Sequence, residues 1–185
     1  HLSIRRQRQM CIRDRSPMLE YGLPMALEDL VDTMRERMDP DSGLELLYEV
    51  DSNQERFSPE VETHVFRIIQ EASKNAVEHS GGSQVKIVGK ISEGLIDLMV
   101  EDNGSGFERY VLDAGMLALT KHYGLIGMEE RCNIIGAKLE IHSGLKAGTR
   151  VRVFWQEGEL TQPVTPPEQA QRLFENPNPY KSPRR

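Results

Sequence analysis

The segment Ile68-Ile69-Gln70-Glu71-Ala72-Ser73-Lys74-Asn75-Ala76-Val77-Glu78-His79 constrains this chain more than any other. Val65, Ile68, Ile69, Ala72 and Ala76 recur at helical spacing and form one apolar face. Glu71, Asn75 and His79 fall at i, i+4 and i+8, so the same helix stacks a carboxylate, an amide and an imidazole along one line. Such a polar stripe can hold a metal-bound phosphate chain. Two glycine-bearing loops downstream supply the rest of a nucleotide site.

The punctuation around this helix is equally informative. Ser58 is placed as its N-cap, Pro59 at the first helical position and Glu60 in the first turn. Glu62 stands four residues beyond Ser58, one too many for a strict capping box. Gly81-Gly82 ends the helix. Upstream, Leu23, Leu27, Leu30 and Met34 predict a short amphipathic helix that stops near Asp39-Pro40. Leu44–Val50 reads as a strand closed by Asp51-Ser52-Asn53. Gln84–Ile91 and Leu95–Val100 make a hairpin around Ser92-Glu93-Gly94. Gly127–Ile135 is expected to be helical, and Leu139–His142 with Thr149–Trp155 forms a second hairpin. The order predicts an α+β fold, a two-layer sandwich with a mixed, mostly antiparallel sheet and its helices on one face. There is no internal repeat.

Composition sets limits. With 185 residues, 38% hydrophobic and 28% charged, the chain fits one soluble domain with appendages. A net charge of -6 argues against a nucleic-acid surface. Cys11 and Cys132 suggest no disulfide framework and so a reducing compartment. No apolar run approaches the ~20 residues of a membrane span, and no signal peptide is recognisable. The first residue is His1 rather than Met, which reads as a fragment. Residues 1–16 carry five arginines without periodicity and read as a non-native or disordered leader. Residues 158–185 hold six of the ten prolines and read as a disordered tail. We place a linker helix at 17–38 and the main domain at 39–157.

Three further motifs carry chemistry. Glu101-Asp102-Asn103-Gly104-Ser105-Gly106-Phe107 follows an apolar strand, whose end can hold Asp102 rigidly at a pocket floor. An ionised Asp only accepts hydrogen bonds, so it suits an exocyclic amine such as that of adenine. Gly104 and Gly106 permit positive φ and close approach of a ligand. Asp-Asn-Gly is also ordinary turn chemistry. In His122–Arg131, Gly124 and Gly127 precede a helix whose free amides and positive dipole end could receive phosphate; a plain loop is the alternative. The glycine-flanked segment from Phe107 to Tyr123 could act as a lid. Gly148-Thr149 opens the last strand, and its hydroxyl could reach a base edge directly or through water. His64 and His142 read as surface or half-buried residues, and no Cys/His spacing suggests zinc.

Taken together, the four motifs in this order resemble the N, G1 and G2 boxes and the closing Gly-x-x-x-Gly-Thr region of the GHKL ATPase superfamily, over roughly Pro17–Trp155. Within it the chain resembles the catalytic domain of a bacterial sensor histidine kinase. Gln-Glu-Ala-x-x-Asn-Ala-x-x-His and the Gly124–Arg131 run are typical of the nitrate-sensor and DegS/LiaS-like branch, as are Pro17, Leu19, Gly22-Leu23, Ala26-Leu27 and Leu30. The resemblance implies the Bergerat ATP-binding fold. It also implies ATP and Mg²⁺ as ligands and transfer of the γ-phosphate to a histidine in two-component signal transduction. Asn75 would ligate Mg²⁺, Glu71 would be a general base or polarising group, and His79 would approach the phosphates. Asp102 would accept from the adenine amine with Thr149 in support. Gly104 and Gly106 would shape the pocket and hinge the lid, and Gly124, Leu125 and Gly127 would wrap the phosphates.

The resemblance also implies partners: a histidine-bearing dimerisation domain, which would lie upstream of Pro17, and a response regulator. The parent would be homodimeric, with this part cytoplasmic whether or not the parent is membrane-anchored. Two departures from the pattern stand out. Glu78 occupies a position where the family often has Lys, and Lys74 is expected to point off the Glu71/Asn75 face. The final loop reads Lys146-Ala147-Gly148-Thr149, where a second glycine is common. The alternatives are an anti-sigma-type serine kinase, another GHKL ATPase, or a degenerate module that only binds a partner protein.

Overall fold

The long helix α2, Pro59–His79, forms as its sequence directs, and the other elements are arranged around it. The Ser58 hydroxyl accepts the Val61 amide at 3.3 Å, and Pro59 supplies the preset φ of the first turn. Glu62 replaces the capping box with a related device. Its carboxylate, 2% exposed, accepts the Phe57 amide at 3.1 Å and the Arg56 guanidinium at 3.0 and 3.3 Å. Arg56 also donates to the Glu20 carbonyl at 3.1 Å. One buried acid thus pins α2, the loop before it and the short 3-10 turn Pro17–Tyr21.

The computed structural model describes residues 17–53, 55–107 and 123–158. The basic leader, the body of the expected lid and the proline-rich tail beyond Gly158 lie outside the described residues. Helix α1 spans Leu23–Arg37, and α3 spans Tyr123–Ile135. The strands are β1 (Glu45–Ser52), β2 (Gln84–Ser92), β3 (Leu95–Asp102), β4 (Lys138–Ser143) and β5 (Thr149–Gln156). They form a sheet in the order β1-β2-β3-β5-β4, with only β1 and β2 parallel. The three helices cover one face, which makes the expected two-layer α+β sandwich.

The core lies between these layers. From α1, Leu23, Ala26, Leu27, Leu30 and Val31 are buried; from α2, Val65, Ile68, Ile69, Ala72 and Ala76. They meet Ile87 and Ile91 of β2, Ile96, Leu98 and Val100 of β3, and Val151 and Val153 of β5. The other sheet face meets water and carries charges paired across strands. Arg152 grips Asp97 with two bonds of 2.7 Å and reaches Glu140, while Arg150 meets Glu101 at 2.7 Å. Alternation of apolar and charged residues along each strand therefore fixes which face is covered.

Several boundaries differ from the sequence reading, three of them for a clear physical reason. β1 continues through Asp51 and Ser52, because its parallel ladder with β2 runs on to the Ser52–Ile91 pair. The β2–β3 turn is only Glu93-Gly94, with Ser92 paired to Leu95 and Gly94 at φ 64°. Helix α3 begins at Tyr123 rather than Gly127, so both glycines of that motif are helical.

Two outcomes follow from this packing. Glu62→Ala strands the Phe57 amide and one face of Arg56, and is expected to cost about 2–3 kcal/mol in urea unfolding followed by Trp155 fluorescence. Half-buried His64 has its pKa held below the usual 6.5, first by burial and then by Arg131, against the pull of Glu60. The folded state favours neutral imidazole, so stability is fullest above 6.5 and falls as pH drops below it. Comparison of wild type with His64→Gln across that range should show a steeper loss of stability in wild type.

Candidate nucleotide-binding site

Asp102 reaches the covered side of the sheet by simple alternation. Ile96, Leu98, Val100 and Asp102 are the inward residues of β3, and the last is a carboxylate only 7% exposed. Its Oδ1 accepts the Gly104 amide at 2.9 Å, while its Oδ2 has no partner among the described residues. Asn103 clips the start of β2: its Oδ1 accepts the amides of Ser83 and Gln84 at 2.9 and 3.0 Å. The turn chemistry expected of Asp-Asn-Gly is therefore present, and it holds the carboxylate in place.

The loop after β3 is tied to the end of α2 and to the β4–β5 loop. The Ser105 amide donates to the Ser80 carbonyl at 2.8 Å, Lys146 to Ser105 at 2.7 Å and Gly148 to Gly104 at 3.0 Å. Gly106 has φ 58°, as expected for a glycine turn. Gly104 does not have a positive φ. Its missing side chain makes room for the Ser80 carbonyl, with which a Cβ would collide, so protein backbone occupies the space expected for a ligand.

On α2, Glu71, Asn75 and His79 line one cavity of about 380 Å³ together with Asp102, Gly106, Gly124, Leu125 and Thr149. Gly124 lies so close to the stripe that a Cβ would strike Glu71 Oε1 and meet Asn75 Nδ2 at 3.3 Å. The amides of Gly124, Leu125 and Ile126 fall in the first turn of α3, where a helix has no internal acceptors. The donors expected of a loop are thus helical amides. Gly127 is not among the lining residues; its α-carbon faces the Arg131 guanidinium one turn on. Gly104 is likewise behind the lining.

The cavity has two characters. Ala72, Ala76, Val100, Met128, Val151 and Phe107 supply the apolar part of the lining, in the same cavity as Asp102. Glu71, Asn75 and exposed His79 form the polar end, and Lys74 is the one permanently cationic side chain among the described lining residues. Lys74, expected off this face, lines the cavity and also borders the groove between α1 and α2. No cluster of three or more metal-ligating side chains exists among the described residues. Glu71 and Asn75, however, have no hydrogen-bond partners among the described residues and offer oxygen donors that fit a hard cation shared with a ligand. His142 is exposed and stands apart from the cavity.

The apolar wall was the part least visible beforehand. Val100 is legible from strand alternation, and Leu125 with Met128 from their i, i+3 spacing. Phe107 and Ser80 join through loop contacts that leave no periodic trace.

The two unabsorbed glycines separate by sign. Gly104→Ala is expected to destabilise by about 1–3 kcal/mol, because the Ser80 backbone cannot move aside. Gly127→Ala meets only a flexible Arg131 tip and should be neutral or gain up to about 1 kcal/mol. Thermal unfolding of the two variants checks this.

Residues 60–159 match the sequence pattern of the histidine kinase-, DNA gyrase B-, and HSP90-like ATPases. The chain is 30% identical over 147 residues to a sensor protein NarQ homolog of Haemophilus influenzae, covering 79% of this chain and 24% of that one. It is 35% identical over 132 residues to the sensor histidine kinase LiaS of Bacillus subtilis, covering 71% and 33%. It spans about a quarter to a third of those relatives. Its fold resembles the histidine kinase domain of the Erythrobacter litoralis EL346 blue-light activated kinase. The TM-score is 0.55 at 17% identity, over 83% of this chain and 70% of that one.

Proposed function

The chain belongs to the histidine kinase-, DNA gyrase B-, and HSP90-like ATPase family, and from that premise we propose that it is the ATP-binding catalytic domain of a sensor histidine kinase. One observation carries the reading: a single cavity joins the α2 stripe, the buried Asp102 and the first turn of α3. In this reading the apolar lining residues take the base and the polar ones, Glu71, Asn75 and His79, take the phosphates.

The residues divide the work. Asp102 Oδ2 accepts the exocyclic amine of adenine in the cavity, and Thr149 lies beside it across the β3–β5 ladder. Gly106 makes the turn beside the cavity, where its missing side chain lets the loop pack on the Gly144 and Gly148 carbonyls. The amides of Gly124 and Leu125 and the side chain of His79 face the phosphates, and the Lys74 ammonium adds positive charge at the lip. Asn75, with Glu71 beside it, would hold Mg²⁺, which supplies charge neutralisation for the phosphate oxygens. Glu71 is one turn from Asn75, where a carboxylate can orient or deprotonate an incoming imidazole. Phosphoryl transfer needs mainly positioning and charge balance, and these residues offer both. The acceptor is a histidine on a dimerisation domain of the parent, and the phosphoryl group passes from there to a response regulator.

Titration of the chain with ATP and Mg²⁺ by calorimetry tests the binding half. Wild type should bind, with Asp102→Asn and Asn75→Ala each at least about tenfold weaker. A folded wild type that takes up no adenine nucleotide at millimolar concentration overturns the reading. With a separately supplied histidine hairpin, radiolabel should appear on the hairpin's histidine; hydrolysis without transfer would mark an ATPase instead.

A further inference from the structure

Ser143, the last residue of β4, has no part in the roles above, yet three segments of the base-binding end meet at its hydroxyl. The Phe107 amide donates to Ser143 Oγ at 2.9 Å. Ser143 Oγ donates to the Gly148 carbonyl at 3.1 Å and lies 3.1 Å from Thr149 Oγ1. A hydroxyl has one hydrogen and two lone pairs. The Gly148 carbonyl can only accept, so the Ser143 hydrogen is committed there. The Phe107 amide occupies one lone pair. The other remains for Thr149, whose own hydroxyl hydrogen must then point at Ser143.

Thr149 therefore offers only lone pairs to the cavity it lines. Asp102 and Thr149 are directly paired across β3 and β5, which puts their side chains on one face with Cβ atoms about 5 Å apart. Asp102 Oδ2 is a carboxylate oxygen that has no partner among the described residues, and a carboxylate only accepts. Two neighbouring acceptors match a group with two N–H hydrogens and disfavour a carbonyl oxygen. We propose that Ser143 is a positioning residue for base selectivity: it holds the Thr149 hydroxyl as an acceptor, so that the site takes a 6-amino purine and rejects a 6-oxo purine. The inference rests on the nucleotide reading above and adds the residue that sets its polarity.

The readout is the ratio of dissociation constants for ITP and ATP, which differ at the 6-position, measured with Mg²⁺ on the full chain. Wild type should prefer ATP at least about tenfold. Ser143→Ala releases the Thr149 hydrogen to turn into the cavity and donate to the 6-oxo oxygen, so the ratio should shrink about fivefold or more. Ser143→Thr keeps the hydroxyl and should keep the ratio. Should the alanine variant not fold, Ser143→Cys, close in volume and weak as a partner, is scored the same way. A merely structural role would weaken both nucleotides equally. An unchanged ratio in the alanine or cysteine variant, or equal binding of ATP and ITP by wild type, overturns the proposal while leaving nucleotide binding intact. Failure of wild type to bind ATP at all removes the underlying reading instead.

Discussion

The site depends first on how α2 lies across the sheet. Its apolar face cannot leave the core without exposing Val65, Ile68, Ile69, Ala72 and Ala76, all buried. With that face fixed, the helical period leaves no freedom for Glu71, Asn75 and His79: they must look along the edge of the core toward α3 and the loop after β3. The same packing that stabilises the domain therefore aims its polar stripe. The Arg56–Glu62 pair at the start of α2 holds the helix end in register with the segment that enters the domain.

The opposite wall follows from the period of two in β3. Three apolar inward residues are followed by one acid at the strand's last position, so Asp102 is delivered to the end of the core rather than its middle. There it can be largely buried and still keep one oxygen for a ligand. The loop that follows is not loose. Backbone bonds to Ser80, Lys146 and Gly148 bind it to both neighbours, which makes the carboxylate a fixed reference point.

Much of this was legible beforehand. The faces of α2, its Ser58 cap, both hairpins, the inward Asp102 and the two-layer architecture all follow from local periodicity and turn chemistry. What was not legible depends on partners distant in sequence. Glycines are weak helix formers, so Gly124 reads as a loop residue ahead of a helix that starts at Gly127; in the fold Gly124 already lies in the first turn of α3, close against the Glu71 carboxylate. Gly104 reads as a ligand-facing turn residue, but it yields space to Ser80, twenty-four positions earlier in the chain. The extension of β1 depends on a parallel partner, and parallel pairing leaves no short-range mark. Lys74 is off the stripe by helical angle, yet it is among the residues that line the cavity.

The central claim is that the base binds at Asp102 and the phosphates at Asn75 and the first turn of α3. A crystal structure with Mg²⁺ and a non-hydrolysable ATP analogue tests it most directly. The account predicts the adenine amine about 3 Å from Asp102 Oδ2, with the phosphate chain between Asn75 and the Gly124–Leu125 amides. A nucleotide seated elsewhere, or one whose base avoids Asp102, would contradict it.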